Sequence, residues 1–323
     1  MKKEKIVLGI DIGGTNTKIG FVSKNGKVYF ENHFSTESKK PFENFISKLT
    51  LEIQNLTYKS DNQFELIGIG IGAPNANFYS GQMEYPPNFK WGDFVPIVQR
   101  VKQVYNVPIR FTNDANAAAV GQLLYGIGHS MKNFVVLTLG TGLGSGIIIN
   151  GRLLVGEHGV AGEIGHINVN PNGRMCNCGL QGCLETYASV TGIRRTVFEL
   201  ISEMKEDSSL KNVSFNEMTG ETIANAAIDG DKIAEKAFEF TGEILGTKIA
   251  DVVAVLDPEA IILTGGLVKA GKILLDPIKT HMEKNLFSAY KGKIKILTSK
   301  MTSSDAVIGA ASMVWNNQQD KFN

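Results

Sequence analysis

The chain carries the segment Val7-Leu-Gly-Ile-Asp-Ile-Gly-Gly-Thr-Asn-Thr-Lys-Ile-Gly-Phe-Val22 near its start. Apolar residues lead into a glycine-rich loop and apolar residues leave it, which predicts two strands joined by that loop. The arrangement recurs in Phe134-Val-Val-Leu-Thr-Leu-Gly-Thr-Gly-Leu-Gly-Ser-Gly-Ile-Ile-Ile149. Each unit ends in an Asn-Gly pair, Asn25-Gly26 or Asn150-Gly151. The pair predicts a hairpin, because both residues tolerate the positive φ of a tight primed turn.

The glycines of these loops suit a phosphate ligand, because successive N–H groups can approach its oxygens without interference from a Cβ atom. A third pair, Gly265-Gly266, follows the apolar run Ala260-Ile-Ile-Leu263. Glycine in a turn is ordinarily structural, but two matched loops and a third pair favour a nucleotide held from two lobes. The sequence has no P-loop motif, and its second loop leads into a strand where a Rossmann fingerprint requires a helix.

Length and composition indicate a globular enzyme of two lobes. The 323 residues correspond to two domains at roughly 100 to 200 residues each. A net charge of +1 gives no electrostatic reason to expect binding to nucleic acid or to a membrane. The first apolar stretch meets Asp11 and Gly13 too early for a signal peptide, and no run approaches the ~20 apolar residues that span a bilayer. We therefore expect a cytoplasmic protein.

The three cysteines of the chain, Cys176, Cys178 and Cys183, lie within eight residues. An odd and crowded set fits a disulfide framework badly. With His166 as the fourth ligand, the set predicts a closed Cys₃His zinc site that orders the loop while the chemistry is done elsewhere. The alternative is three reduced thiols beside a hydrogen-bonded histidine. Gly179 and Gly182 (both in the cysteine loop) favour zinc, because they let the loop fold tightly.

A polar pair, Asn113-Asp114, lies where the short apolar run Val107-Pro-Ile-Arg-Phe-Thr112 breaks into an alanine-rich segment. Either residue can cap the predicted helix. Asp114 can also accept a proton from a substrate hydroxyl if it lies within hydrogen-bond reach. The two roles can coexist at one corner.

Further polar residues surround the cysteine loop. Carboxylates and imidazole suit a polyol, because each can hold one or two hydroxyls, and Glu163, His166 and Glu185 form such a set. The alternative is that these carboxylates are simply solvated. Asn75 and Asn88, in turns rich in glycine and proline, are further candidates for sugar contacts.

Helical periodicity appears in the second half of the chain. Apolar spacing predicts helices over 192–204 and from Asp231 towards Leu256, the latter ended by Asp257-Pro258. We expect Ser303-Ser304-Asp305 to cap a final helix that packs on the first lobe.

Together the motifs resemble the ROK family of sugar kinases and repressors. The matching segments are Asp11-x-Gly-Gly-Thr15-x-x-Lys18, Asn113-Asp114-Ala-Asn116, Gly140-Thr-Gly-x-Gly144, Glu163-x-Gly-His166 and Cys176-x-Cys-Gly-x-x-Gly-Cys183-x-Glu185. The resemblance implies an α/β, actin-like (ribonuclease H-like) fold with two α/β lobes around a central cleft. We expect residues 1–112 and 305–323 in the first lobe, and 113–304 with the zinc loop in the second. The chain departs from the family at Asn75, where many members carry glycine after the proline.

The resemblance also implies a function, an ATP-dependent hexose kinase that transfers the γ-phosphoryl group to the 6-hydroxyl of glucose. The pattern is most similar to the glucokinases of the family, with Asp114 as the base. The implied sugar contacts are Asn88, Asn113, Asp114, Glu163, His166 and Glu185. The implied contacts to ATP and Mg²⁺ are Asp11, Gly13, Gly14, Thr15, Lys18, Gly140, Thr141, Gly142, Gly265 and Gly266. The implied ligands of a structural Zn²⁺ are His166, Cys176, Cys178 and Cys183, with His166 using its other ring nitrogen for the sugar.

Other functions remain open at this stage. A kinase for fructose, mannose, N-acetylglucosamine or N-acetylmannosamine is the nearest alternative, because epimers differ by one hydroxyl. A ROK-type transcriptional regulator needs a DNA-binding helix-turn-helix, and only eight residues precede Gly9. An actin-like structural protein would share the glycine loops but not the polyol residues. The resemblance further implies a homodimer or homotetramer without nucleic-acid or membrane partners.

Overall fold

A computed structural model describes residues 3–60, 63–299 and 305–316. The strands in this part of the chain are β1 (Glu4–Ile12), β2 (Asn16–Ser23), β3 (Val28–Ser35), β4 (Phe64–Gly72), β5 (Met83–Glu84), β6 (Phe94–Val95), β7 (Ile109–Thr112), β8 (Phe134–Leu139), β9 (Leu143–Ile149), β10 (Arg152–Leu153), β11 (Ala260–Thr264) and β12 (Lys295–Thr298). The α-helices are α1 (Phe42–Lys59), α2 (Ile97–Lys102), α3 (Asp114–Tyr125), α4 (Val190–Glu203), α5 (Gly220–Ile228), α6 (Lys232–Leu256), α7 (Lys272–Asn285) and α8 (Asp305–Trp315). Within the described ranges, no helix has both the length and the apolar character needed to cross a membrane.

The chain divides into two compact units. The first comprises the described residues of 1–132, 146–162 and 301–323, and the second those of 133–145 and 163–300. The division differs from the expected boundary in two places, because 113–132, which contain α3, and 146–162 both belong to the first unit. Helix α3 packs closely on α8, and a Cβ atom placed on Gly309 would lie only 2.8 Å from the Ala117 carbonyl oxygen. The backbones of the two helices are therefore in direct contact.

The first sheet has the strand order β3-β2-β1-β4-β7. Strands β1, β2 and β3 are antiparallel, as the strand-loop-strand pattern predicts, while β1, β4 and β7 run parallel. Asp11 pairs with Lys18 on one side and with Gly72 on the other. Because parallel strands end at one edge of a sheet, the ends of β1, β4 and β7 bring their following residues together there.

Helix α8 covers one face of the first sheet, as expected for the final helix. A Cβ atom on Gly9 would lie 2.1 Å from the Val307 oxygen, and one on Gly70 would lie 1.9 Å from the Ala310 oxygen. Glycine is therefore required where the helix backbone touches the strands. The other core of this unit joins Leu8 and neighbouring strand residues to buried positions of α1. The expected cap residues Ser303 and Ser304 lie outside the described residues.

The second sheet has the order β10-β9-β8-β11-β12, with β8, β11 and β12 parallel. Helix α6 begins where the sequence predicts, with Asp231 accepting from the N–H groups of Ile233 and Ala234 at 3.0 and 3.1 Å. It ends at Leu256, and its C-cap Asp257 has a φ of 44°, which lies in the left-handed region. Helix α4 covers 190–203, close to the predicted 192–204.

The two Asn-Gly turns differ from each other. Asn150 and Gly151 have φ values of 52° and 73°, as the predicted primed turn requires. At the first turn only Gly26 has a positive φ, 81°, and its N–H donates to the Ser23 oxygen at 3.0 Å. The hairpin forms at Asn25-Gly26, but the prediction of a primed turn there is wrong. The two strands are joined by a longer loop in which Gly26 has the left-handed conformation.

Candidate functional site

Two carboxylates, Asp11 and Asp114, lie at the edge of the first sheet where β1 and β7 end. Strand β4 separates these strands, and a Cβ atom on its Gly72 would lie 3.6 Å from the Asp114 Cα and 4.0 Å from Asp11 Oδ1. Gly72 therefore lies close to both acids, and a Cβ atom there would make only ordinary van der Waals contacts with them. The fold thus brings together two residues that the sequence places in different motifs.

The electrostatic setting raises the pKa of both acids. Burial, followed by the charge of Asp114, raises the pKa of Asp11 to about 6, and Lys18 opposes this rise. The protein atoms packed around the Asp114 carboxyl remove part of its hydration, and this raises its pKa. The residue as a whole still exposes surface to solvent. The Ala115 N–H donates to Asp114 Oδ1 at 2.9 Å and partly opposes that rise. An acid pair of this kind suits proton transfer and cation binding.

Asn113 is the N-cap of α3, since its Oδ1 accepts from the Asn116 N–H at 2.6 Å. The capping interpretation is therefore confirmed for Asn113, while the carboxylate of Asp114 remains accessible to solvent. Asn88 lies beside the first glycine loop, because a Cβ atom on Gly14 would be 3.9 Å from the Asn88 Cβ. The three predicted sugar contacts of the first unit, Asn88, Asn113 and Asp114, thus belong to its acid pair or lie beside that pair or the glycine loop.

The first glycine loop is held by hydrogen bonds within its own backbone and to Thr36, the residue after β3. The Gly13 N–H donates to the Asn16 oxygen at 3.0 Å, so this amide is used inside the loop. The Gly13 and Thr15 oxygens accept from the hydroxyl and the N–H of Thr36 at 2.7 and 2.8 Å. The Gly14 amide is not used in these bonds.

The second glycine loop is likewise held both by its own backbone and by a distant segment. The Gly140 N–H donates to the Gly142 oxygen at 3.0 Å. The Gly140 oxygen accepts from the Val190 N–H at 2.9 Å, and the Thr141 oxygen accepts from the Thr191 hydroxyl at 2.8 Å. In a trans peptide the C=O of one residue and the N–H of the next point in opposite directions. The amides of Thr141 and Gly142 therefore point away from α4.

The third glycine pair follows β11, the parallel neighbour of β8. Gly265 has a φ of 102°, and a Cβ atom there would lie 2.5 Å from the Leu139 oxygen. No other residue fits this close approach to the end of β8. Two glycine segments of the second unit therefore lie at the same edge of its sheet.

The predicted metal ligands converge in the second unit. The ligand atoms of His166, Cys176, Cys178 and Cys183 all lie within 4.8 Å of one another. The Cys178 and Cys183 sulfurs are 3.7 Å apart, and Cys176 Sγ is 3.8 Å from His166 Nδ1. Tetrahedral zinc with Zn–S bonds of 2.3 Å places its sulfurs about 3.8 Å apart. Gly179 and Gly182 have φ values of 90° and 82°, as expected for a tight loop.

The chemistry of the donor set also fits a divalent cation. Burial raises the pKa of Cys176 to about 12 and raises the pKa of Cys183 as well. A neighbouring divalent cation inverts this preference, because a coordinated thiol is deprotonated. The residues present therefore form a site that could hold zinc.

Three polar side chains adjoin this loop. His166 directs Nδ1 at Cys176 and has Nε2 4.0 Å from Glu163 Oε2. Glu185 has Oε1 3.7 Å from the Cys176 sulfur, and its Oε2 accepts from the Leu143 N–H at 2.9 Å. The predicted polyol set thus surrounds the metal loop, and Glu185 also contacts the second glycine loop.

Sequence reasoning missed two residues that organise these loops. Thr36 binds the first glycine loop, and Arg174 anchors the start of the metal loop. The Arg174 guanidinium uses its donors on Glu199, on the Thr186 and Gly192 oxygens and on Thr196. Neither residue belongs to a glycine or cysteine motif, and their partners are distant along the chain, so the sequence carried no signal for them.

The conformation of Asn75 explains why asparagine can stand where many members of the family carry glycine. Its φ of 50° lies in the left-handed region that favours glycine and that asparagine tolerates. Its side-chain amide donates to the Glu84 and Tyr85 oxygens at 3.0 and 3.2 Å. Asn75 thus keeps the backbone conformation of a glycine and adds two hydrogen bonds to the turn. In this structure its side-chain amide is used within the first unit.

The two α/β units, each with a five-stranded sheet and a glycine loop, have the actin-like ATPase fold. Solved structures share this fold. A ROK family glucokinase from Streptomyces griseus, in complex with glucose and AMPPNP, superposes with a TM-score of 0.80 at 31% identity over 95% of this chain and 98% of its own. The ROK family model matches residues 7–317. The chain belongs to the ROK family.

Relatives in this family carry two kinds of name. The glucokinase of Halalkalibacterium halodurans is 34% identical over 98% of this chain and 97% of its own length. The xylose repressor of Caldicellulosiruptor bescii is 30% identical over 95% of this chain and 77% of its own length. Sequence similarity alone thus links the chain both to kinases and to regulators, and the site must decide between them.

Proposed function

We propose that this protein is an ATP-dependent hexose kinase that transfers the γ-phosphoryl group of ATP to the 6-hydroxyl of glucose. The observation that carries the proposal is the acid pair at the edge of the first sheet. Asp114 offers a solvent-accessible carboxylate beside Asp11, and next to the glycine loop that leads to Lys18. A protein that only senses sugar has no need of a base beside a phosphate loop.

The proposed roles follow from the chemistry of phosphoryl transfer, which depends on positioning and on neutralising charge. Asp114 accepts the proton of the attacking hydroxyl, and burial raises the pKa of its carboxyl, which makes it a stronger base than an ordinary aspartate. Asp11 and Lys18 face the phosphates, and Asp11 helps to hold Mg²⁺, which when bound neutralises phosphate charge. We assign the remaining phosphate contacts to Gly13, Gly14, Thr15, Gly140, Thr141 and Gly142, and the adenosine side to Gly265 and Gly266.

The hexose contacts are proposed to be Asn88, Asn113, Asp114, Glu163, His166 and Glu185. Zinc on His166, Cys176, Cys178 and Cys183 would order the cysteine loop and so position His166 and Glu185, two of these hexose contacts. Glucose is proposed because relatives and a solved structure at more than 30% identity are glucokinases. The nearest competitors are other hexoses, since one hydroxyl separates epimers.

The test is release of ADP from Mg-ATP across a panel of glucose, fructose, mannose, N-acetylglucosamine and N-acetylmannosamine. Glucose should give the highest kcat/KM, and a different preferred hexose would replace the substrate but keep the kinase. Sugar binding without phosphoryl transfer to any of them would favour the regulator.

Asp114→Asn tests the base directly. Asparagine can still accept from the Ala115 N–H, so folding should be preserved while kcat falls by roughly 10² to 10⁴-fold. The unfolding temperature of Asp114→Asn is the control for the helix end, and it should not fall below that of the wild type. Retention of more than about a tenth of the wild-type kcat in Asp114→Asn would rule out this assignment.

A further inference from the structure

Thr36, the residue after β3, makes two hydrogen bonds to the first glycine loop. Its N–H donates to the Thr15 oxygen at 2.8 Å, and its hydroxyl donates to the Gly13 oxygen at 2.7 Å. The side chain is buried, with only 1% of the residue exposed. One residue, 21 or more positions away in sequence, therefore holds the Thr15 carbonyl with its backbone N–H and the Gly13 carbonyl with its side chain.

The direction of the hydroxyl hydrogen bonds is determined by donor counting. Thr17 Oγ1 lies 2.8 Å from Thr36 Oγ1, and Thr17 is also buried. A hydroxyl has one hydrogen to donate, and Thr36 donates its hydrogen to Gly13. Thr17 must therefore donate to Thr36, so the three groups form a chain that ends at the Gly13 carbonyl.

This chain of hydrogen bonds fixes the orientation of one peptide group. The Gly13 C=O and the Gly14 N–H belong to the same trans peptide and point in opposite directions. When the Thr36 hydroxyl holds the carbonyl, the Gly14 N–H is directed away from β3. The Gly13 N–H is already bound to the Asn16 oxygen, so the loop is held on both sides of that peptide.

The second glycine loop is built on the same principle. There the Thr191 hydroxyl holds the Thr141 carbonyl at 2.8 Å, which directs the Gly142 N–H away from α4. Two loops in different units therefore each have a carbonyl fixed by a threonine hydroxyl. Such preorganised amides bind a phosphate oxygen without first reorienting.

We propose that Thr36 is a positioning residue for the nucleotide, which directs the Gly14 amide at a phosphate group without touching it. The proposal rests on the proposed kinase function, because it assigns the phosphates to this loop. Loss of the Thr36 hydroxyl frees the Gly13–Gly14 peptide to rotate. The affinity for nucleotide should then fall while the affinity for hexose is retained.

The test compares Thr36→Val with Thr17→Val. Each variant removes one buried hydroxyl at nearly constant volume, so both should lower the unfolding temperature. Thr36→Val should raise the Kd for Mg-AMPPNP about tenfold and leave the hexose Kd within about twofold. Thr17→Val should leave both constants within about twofold, because Thr36 still donates to Gly13. Thr36→Ser keeps the hydroxyl donor and should therefore bind nucleotide as the wild type does.

Nucleotide affinity in Thr36→Val equal to that of Thr17→Val would overturn the proposal and leave only a structural role. Thr36→Cys gives a second variant if valine prevents folding, since its thiol is a weaker donor, and it should bind nucleotide with intermediate affinity. Wild-type affinity in Thr36→Cys would also contradict the proposal. A wild-type protein that binds no Mg-AMPPNP would instead refute the proposed function itself.

Discussion

Glu185 accepts a hydrogen bond from the Leu143 N–H at 2.9 Å, so a residue of the metal loop holds the second glycine loop. The approach is close, since a Cβ atom on Gly142 would lie 2.2 Å from Glu185 Oε2. Its other oxygen lies 3.7 Å from the Cys176 sulfur. One carboxylate thus connects the proposed metal site to the proposed phosphate site within a single unit.

Glu185 substitutions should separate these two roles. Glu185→Ala leaves the Leu143 N–H without its acceptor, which costs about 1 kcal/mol or more, so nucleotide affinity should fall at least fivefold together with hexose affinity. Glu185→Gln keeps an acceptor oxygen and should weaken hexose binding while largely keeping nucleotide binding. Calorimetric titration with Mg-AMPPNP and with glucose measures both. Unchanged nucleotide affinity in Glu185→Ala would show that the contact is incidental.

Cys178→Ser should remove a zinc ligand. The three remaining ligands cannot close the tetrahedral set, so zinc content should fall from one equivalent towards zero and hexose affinity should fall at least tenfold. Metal analysis and glucose titration on one sample give both values. Leu180→Ser changes an exposed residue of the same loop and should retain both. Stoichiometric zinc in Cys178→Ser would refute this ligand set.

Arg174→Lys should loosen the metal loop. Lysine cannot reproduce the planar fork that reaches Glu199, Thr196 and two backbone oxygens, and we expect a loss of stability of about 2 to 3 kcal/mol. The rate at which zinc is transferred from the protein to a chromophoric chelator should also be higher in Arg174→Lys than in the wild type. Arg195→Lys is the matched control, because that arginine donates to a single loop oxygen, that of Met175. Equal release rates in the two variants would argue against an anchoring role.

Asp11 predicts a pH dependence of stability in the nucleotide-free protein. Its folded pKa of about 6 exceeds the ordinary 3.8, so the folded chain binds this proton more tightly than the unfolded chain. Ionised Asp11 therefore costs stability above pH 6, and the cost disappears as the pH falls towards 4. Asp11→Asn should stabilise by the order of 1 kcal/mol at pH 8 and by less at pH 5.

Thermal unfolding at the two pH values measures the Asp11 effect. Asp93→Asn, which changes an exposed carboxylate of the same unit, should shift the midpoint equally at both. A gain in Asp11→Asn that is larger at pH 5 than at pH 8 would contradict the sign of the argument. The same variant should lose Mg-dependent nucleotide binding, so stability and function change in opposite directions.

Local sequence patterns predicted the elements around the glycine loops and four of the helices. Strand, loop and strand around Asp11, helix α6 from its Asp231 cap, and the final helix all follow from periodicity, capping and glycine, which act over a few residues. The Asn25-Gly26 turn shows the limit of such patterns. The same dipeptide forms a primed turn at Asn150-Gly151, and the length of the connection between the paired strands decides which turn forms.

The amino-acid sequence by itself determined which residues can do chemistry, because residue type and spacing within a loop are local properties. Cysteine spacing predicted the ligands that converge within 4.8 Å, and Asn113-Asp114 marked a helix start that carries a candidate base. Only the tertiary structure decided how those groups are oriented. Thr36, Arg174 and the Glu185–Leu143 bond act between segments far apart in the chain, and such contacts exist only after the sheets and helices have packed.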